Sequence, residues 1–238
     1  MDTETTGIGP GSRLCQVAYK FNGIETEALF KPPVPIEIEA MAVSHITNRM
    51  VEKSDPFIGS DMHKELAAIL SDGNIIVAHN APFDIEMLKR ENLGVETFID
   101  TCRLAQHLDP EVVIPQYKMQ YLRYYFDLEV ADAQAHSALG DIRVLEKLFD
   151  YYFGLMSQEL DDEEAVIRKM IELSTLPIMI KKINFGKYNG QEVAEIAKKD
   201  RGYLEWLLGE KKKSGGKDRN DENWIYTLGH YLKNQTLF

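Results

Sequence analysis

The sequence predicts an α/β fold, a mixed sheet flanked by helices, with a small second domain after it. Three observations predict this. From Arg13 to Tyr152, short extended runs alternate with stretches of helical periodicity, after an initial hairpin pattern. The 238 residues suit one large domain, or a medium one followed by a small one. Charge also divides along the chain. Leu173 to Phe238 carries 12 Lys and Arg against 8 Asp and Glu, whereas the residues before it carry 15 against 30. An acidic body joined to a basic appendage is the expected organisation, with boundaries at 1–156, a helical linker at 157–177 and a small basic domain at 178–238.

The hairpin comes first. Arg13 to Phe21 is apolar with partial alternation, Asn22-Gly23 supplies the turn, and Glu25 to Phe30 resumes the extended pattern. Lys31-Pro32-Pro33-Val34-Pro35 cannot continue inside a sheet, and Glu37 to His45 reads as a short helix or turn. Asp61 to Leu70 has apolar residues at helical spacing, with Asp61 as the candidate cap, and Ser71-Asp72-Gly73-Asn74 stops it. Ile75 to Ala78 reads as a short buried strand. Pro82 then suits the first turn of a helix that continues through Glu91, with Ile85 and Leu88 facing the core. Thr97 to Ile99 is another strand, and Asp100 can cap a helix from Thr101 to Leu108. Lys118 to Phe126 and Ala131 to Tyr152 are helical in pattern, the second being the longest such stretch. Val166 to Leu173 is helical, and Pro177 closes it before a second unit begins near Ile178.

Composition excludes several classes. An apolar fraction of 44% is ordinary for a chain that buries a core. No apolar run reaches the roughly 18 residues of a membrane span, and the polar, charged start does not read as a signal peptide. A net charge of -11 argues against a general nucleic-acid coat protein. Cys15 and Cys102 lie far apart in apolar contexts and read as reduced core thiols of a cytoplasmic protein.

The residues that carry chemistry are acids. In Asp2-Thr3-Glu4-Thr5-Thr6-Gly7, Asp2 and Glu4 project to one face if the run is a strand. Paired carboxylates on a rigid strand suit a hard divalent cation. Asp84 opens a helix just after a strand, and His136 and Asp141 sit five apart in the long helical stretch, about 140° around its axis. Singly, each of these could be an ordinary solvated residue. In order, D-x-E, then N-x-x-x-D, then H-x-x-x-x-D form a specific set.

That set resembles the DEDDh family of 3′→5′ exonucleases, which have the ribonuclease H-like fold. The matching phrases are Asp2-Thr3-Glu4-Thr5-Thr6-Gly7, His79-Asn80-Ala81-Pro82-Phe83-Asp84 and His136-Ser137-Ala138-Leu139-Gly140-Asp141. Beyond them, Phe185-Gly186-Lys187-Tyr188-Asn189-Gly190 through Gly202-Tyr203-Leu204-Glu205-Trp206-Leu207-Leu208 is similar to the small C-terminal domain of exodeoxyribonuclease X-like proteins.

The resemblance implies two Mg²⁺ ions, with Mn²⁺ as a substitute, held by Asp2, Glu4, Asp84 and Asp141, and His136 as general base. It implies hydrolysis from DNA 3′ ends, single-stranded or frayed duplex, releasing nucleoside 5′-monophosphates in DNA repair or degradation. It also implies that Thr5, Ile8, Asn80 and Phe83 contact the terminal nucleotide. A polymerase proofreading subunit, an RNase T-like RNA trimmer and a non-catalytic nucleic-acid-binding relative stay as alternatives, and RNA as a second substrate and a homodimer stay open. Family members carry several apolar residues before the first Asp. Only Met1 precedes Asp2, so a short central strand is expected, with an α-amino group that repels cations. In the basic unit, Lys187 and the run Lys211-Lys212-Lys213 are expected to meet phosphates, with Tyr188 to stack, while Tyr203, Trp206, Leu207 and Leu208 form the unit's own core.

Overall fold

A computed structural model describes residues 1–130, 138–213 and 219–233. The chain divides into two compact units. The first comprises Met1–Leu108 and Ile114–Ser174, and the second comprises Asp109–Val113 and the chain from Thr175 onward.

The first unit is mixed α/β. Strand β1 (Asp2–Thr5) pairs antiparallel with β2 (Leu14–Phe21), which pairs antiparallel with β3 (Ile24–Leu29). The β2–β3 turn uses Asn22 and Gly23, both at positive φ, the backbone an Asn-Gly hairpin turn requires. The register of β1 on β2 shifts between Glu4 and Thr5, so the ladder is irregular beside the acidic pair. Helices α1 (Ile38–Ser44), α2 (Asn48–Val51) and α3 (Asp61–Ser71) follow. Ser60, not Asp61, caps α3: its hydroxyl accepts from the His63 amide, which leaves Asp61 as a first-turn charge.

Strand β4 (Ile76–Ala78) pairs parallel with β5 (Phe98–Asp100), and α4 (Pro82–Arg90) connects them. Parallel neighbours need such a crossover. The strands form two ladders, β1-β2-β3 and β4-β5. They meet at one hydrogen bond described here, from the Met1 amino group to the Val77 carbonyl at 2.6 Å. The contact comes from the residue before β1, while β1 itself is laddered to β2. Helices α5 (Thr101–His107), α6 (Met119–Tyr125), α7 (Ala138–Met156) and α8 (Glu163–Thr175) complete the unit, the last extending one residue past it.

One apolar cluster gathers Leu14, Val17, Tyr19, Leu66, Ile76, Met87 and Leu88 from the sheet, α3 and α4. A second joins Ile99, Leu104, Leu122, Val144, Leu148, Tyr152 and Met170. Ala18 packs on Ala138 and Ile142, which fixes the first turn of α7 against β2. Cys15 is fully buried and Cys102 partly so, and neither is in a disulfide.

The second unit is helical: α9 (Val193–Lys199), α10 (Arg201–Lys213) and α11 (Arg219–Lys233) close around Ile183, Val193, Ile196, Leu204, Leu207, Trp224 and Leu228. A single-turn 3-10 helix at Gly186–Tyr188 precedes them, and Gly186 takes a φ of 61°, a backbone conformation that favours glycine. Leu207 belongs to this core as expected, and Tyr203 and Leu208 pack against it. Trp206 does not. It is 56% exposed, because at 3.6 residues per turn it lies roughly 160° around α10 from Leu204 and roughly 100° from Leu207. Tyr188 is not the available ring either, since it is buried and its hydroxyl donates to Asp200 at 2.6 Å.

Candidate active site

Three elements bring four carboxylates together. Period-two alternation on β1 places Asp2 and Glu4 on one face, with Thr3 and Thr5 buried on the other. Asp84 lies in the first turn of α4, where the helix dipole favours an anion, and it is 4% exposed. Asp141 lies in the first described turn of α7 and is 8% exposed. The Thr3 hydroxyl donates to Asp84 Oδ1 at 2.6 Å, and the Gln120 amide donates to Asp141 Oδ1 at 2.6 Å.

Electrostatics records the convergence. Burial, then the charges of Glu4 and Asp141, push Asp2 up to about 7. Burial, then Asp141 and Asp84, push Glu4 to about 7. Burial and the charge of Asp2 push Asp84 to about 7, against the Thr3 hydrogen bond. Desolvation and like charge both disfavour ionisation, and here they act together. The Met1 ammonium is lowered by its own burial, against the pull of Asp84 and Asp2. Cys15, beneath the site, is pushed up to about 12 by burial and the nearby Glu4 charge, so it is no nucleophile.

Among the described residues, no three Asp, Glu, His or Cys side chains stand close enough to hold an ion in this conformation. The donor chemistry fits a hard divalent cation all the same. These are oxygen donors, largely buried, whose charges oppose one another, and a bound cation reverses that penalty.

The turns around the acids are held firmly. At Gly7 a Cβ would run into the Glu37 carboxylate, the end of an exposed side chain, so a larger residue there requires that side chain to swing aside. The buried Thr5 hydroxyl donates to the Gly7 carbonyl at 2.7 Å and fixes the turn that presents Ile8, which is 89% exposed. Asn80 is exposed and holds a positive φ of 67°, with its amide donating to Asp100 Oδ1 at 2.8 Å. The same Asp100 oxygen accepts from the amides of Cys102 and Arg103, so the cap read from the sequence also fixes the turn before α4. Phe83 is partly buried against the apolar cluster of the sheet. His79 is committed to Thr101 at 2.9 Å and to the Tyr117 carbonyl at 2.8 Å, and burial lowers its pKa. His136 lies outside the described residues, as does the stretch of predicted helix before Ala138.

Sequence reasoning missed Gln120 and Thr3. Each is a common polar residue whose role exists only through its partner, and no local pattern marks it. Lys187, in the second unit, pairs with Asp200 at 2.9 Å and lies 4.7 Å from the centroid of the Tyr188 ring.

Residues 1–149 of this mixed α/β chain match the exonuclease family. The chain belongs to that family and is a nuclease with a ribonuclease H-like fold. Exonucleases of this kind work with divalent metal ions. Residues 183–212 match the exodeoxyribonuclease X-like C-terminal family.

Among curated proteins, the chain is 28% identical to exodeoxyribonuclease 10 of Escherichia coli (strain K12), over 98% of both chains. It is 32% identical to the DNA polymerase III subunit epsilon of Treponema pallidum (strain Nichols), over 62% of this chain and 72% of the other. Among solved structures, that of exonuclease X in complex with 5′ overhanging duplex DNA is similar in fold. Its TM-score is 0.51 at 24% identity, covering 73% of this chain and 96% of the other.

Proposed function

We propose that this chain is a 3′→5′ exonuclease of DNA that releases nucleoside 5′-monophosphates in repair or degradation, using two Mg²⁺ ions for which Mn²⁺ can substitute. The observation that carries this reading is the placement of Asp2 and Glu4 on one face of β1, with Asp84 and Asp141 in the first described turns of α4 and α7, in a chain whose residues 1–149 match the exonuclease family. The choice of DNA is supported by the end-to-end similarity to a protein named as an exodeoxyribonuclease.

In this reading Asp2, Glu4, Asp84 and Asp141 hold the ions. When bound, the ions supply Lewis acidity to an in-line displacement at phosphorus. Thr3 and Gln120 each occupy one carboxylate oxygen of Asp84 and Asp141, which orients the other. His136 takes the proton from the attacking water, a role imidazole suits near neutral pH. Ile8 packs its exposed side chain against the terminal base, and Asn80 and Phe83 line the same pocket. Thr5 acts through the turn that carries Ile8. The second unit adds cationic contacts for longer DNA, Lys187 among them.

The test is digestion of DNA labelled at either end, with and without Mg²⁺. Release of labelled mononucleotide first from the 3′ terminus, abolished by chelator, is expected. Release from the 5′ terminus, or cleavage indifferent to chelator, overturns the reading.

A further inference from the structure

The second unit leaves one large ring in water. Trp206 is 56% exposed, whereas Trp224 is 2% exposed and sits in the core against Phe185, ring centroids 5.5 Å apart. An exposed indole on a small helical unit gives up a large gain from burial. The surroundings keep it open. Gly202 and Gly209 sit four residues before and three after Trp206, the positions whose side chains would lie over it on α10. A Cβ at Gly209 would meet nothing within 4 Å, and one at Gly202 would meet only Asp200 Oδ1, at 3.8 Å. Glycine is a poor helix former, so two of them flanking one bare ring do not serve the helix.

The remaining neighbour three residues back is Tyr203, its centroid 5.6 Å from the indole and its plane tilted by 40°. Lys187 Nζ lies 5.1 Å from the centroid of that same ring, and the lysine side chain is 59% exposed. The acids nearest along the helix are matched, Glu205 by Arg201 at 2.9 Å and Glu210 by Lys213 at 2.6 Å. The surface therefore offers a flat π face, a second tilted ring, and beside that ring an exposed lysine that Asp200 holds in place at 2.9 Å.

We propose that Trp206, Tyr203 and Lys187 form a binding site for single-stranded DNA, in which a base stacks on the Trp206 indole and the adjoining phosphate meets Lys187. Stacking platforms paired with cations are how single strands are held without sequence preference. A protein-docking patch would call for contiguous apolar surface. Here Glu205, Glu210 and two glycines surround the ring instead. This site rests on the reading of the chain as a DNA exonuclease, since it gives the second unit a hold on the strand being digested.

The chain has two tryptophans, and the other is buried, so indole emission reports the site directly. The full chain is titrated in chelator with an oligothymidylate of about eight nucleotides, within the range one such site covers. Quenching of the exposed emission is expected, and anisotropy of the labelled oligonucleotide should give about tenfold weaker binding for Trp206→Ala. Trp206→Phe, which keeps a ring, should bind within about threefold of wild type, because stacking tolerates any flat π face. Unchanged emission, or Trp206→Ala binding as tightly as wild type, overturns the proposal. So does emission that responds to protein concentration but not to oligonucleotide, which assigns the face to self-association. Because binding is read without metal, it is separate from cleavage. Quenching with no cleavage of DNA in Mg²⁺ would sink the exonuclease reading alone.

Discussion

Asp84 in the first unit and Asp200 in the second are both carboxylates beside a hydroxyl donor, yet their environments push them in opposite directions. Asp84 is held at about 7 by burial and the charge of Asp2, in spite of Thr3. Asp200 is held at about 2 by the Tyr188 hydroxyl, then Lys187, then the Tyr203 amide. The second unit satisfies its acid with donors that its own fold supplies. The first gathers acids faster than it supplies donors, and among the described residues no lysine or arginine is paired with Asp2, Glu4 or Asp84. Asp200 comes with a lysine, whereas Asp2 and Asp84 face an ammonium whose own charge burial disfavours, an arrangement that favours a cation from solution.

The largest test of that contrast is removal of a site acid. Asp2→Ala or Asp141→Ala should bring metal-dependent DNA cleavage to background, while metal-free thermal stability is kept or raised because like-charge repulsion falls. Full turnover in both variants would mean that these acids do not hold the metals. His136→Ala is expected to lower turnover by about 10²–10⁴-fold with metal affinity largely retained, measured as single-turnover rates at saturating Mg²⁺. Near-normal rates would assign the base elsewhere.

Gln120→Leu should come next in size. It removes the donor that orients Asp141 and should raise the Mg²⁺ concentration for half-maximal rate by about 10–100-fold. The thermal shift that Mg²⁺ produces should weaken in parallel. An unchanged metal dependence would make Gln120 a packing residue only.

The smallest effect separates the two units by pH. Asp2, Glu4 and Asp84 have folded values near 7, above their ordinary 3.8, 4.5 and 3.8. The folded state therefore binds more protons than the unfolded chain between about pH 4 and 7. Their stabilising contribution is complete below about pH 4, falls as pH rises through 7, and is flat above. Asp200 behaves oppositely, since its folded value of about 2 lies below the ordinary 3.8. Its contribution is complete above about pH 4 and is lost as pH falls through 2. Urea melts of the metal-free chain at pH 5 and 8 check this. Far-UV signal covers both units, and emission of Trp206 and Trp224 follows the second alone. Greater stability at pH 8 in the transition of the first unit would contradict the raised values.

Local signals were legible in the chain wherever one short stretch fixes the outcome. Asn22-Gly23 dictates a tight hairpin because both residues tolerate positive φ. Pro82 opens α4 because its ring presets φ and its missing N–H has no partner in a first turn. Asp100 caps α5 because its oxygen reaches amides two and three residues on. The spacing of Asp2 and Glu4 on one strand face follows from the pleat alone.

What only the tertiary structure decided are the pairings between distant residues. Ser60 displaced Asp61 as the cap of α3, because a one-residue shift of a helix start is settled by how the preceding loop packs. Trp206 fell outside the core that its apolar neighbours suggested, since helical phase turns it away from the face that buries Leu204 and Leu207. Thr3 and Gln120 became partners of Asp84 and Asp141 across 81 and 21 residues of chain, a relation no local pattern carries. The acids themselves could be read one by one from the sequence. Their shared shift to about 7 could not, because desolvation and repulsion exist only once β1, α4 and α7 are folded against one another.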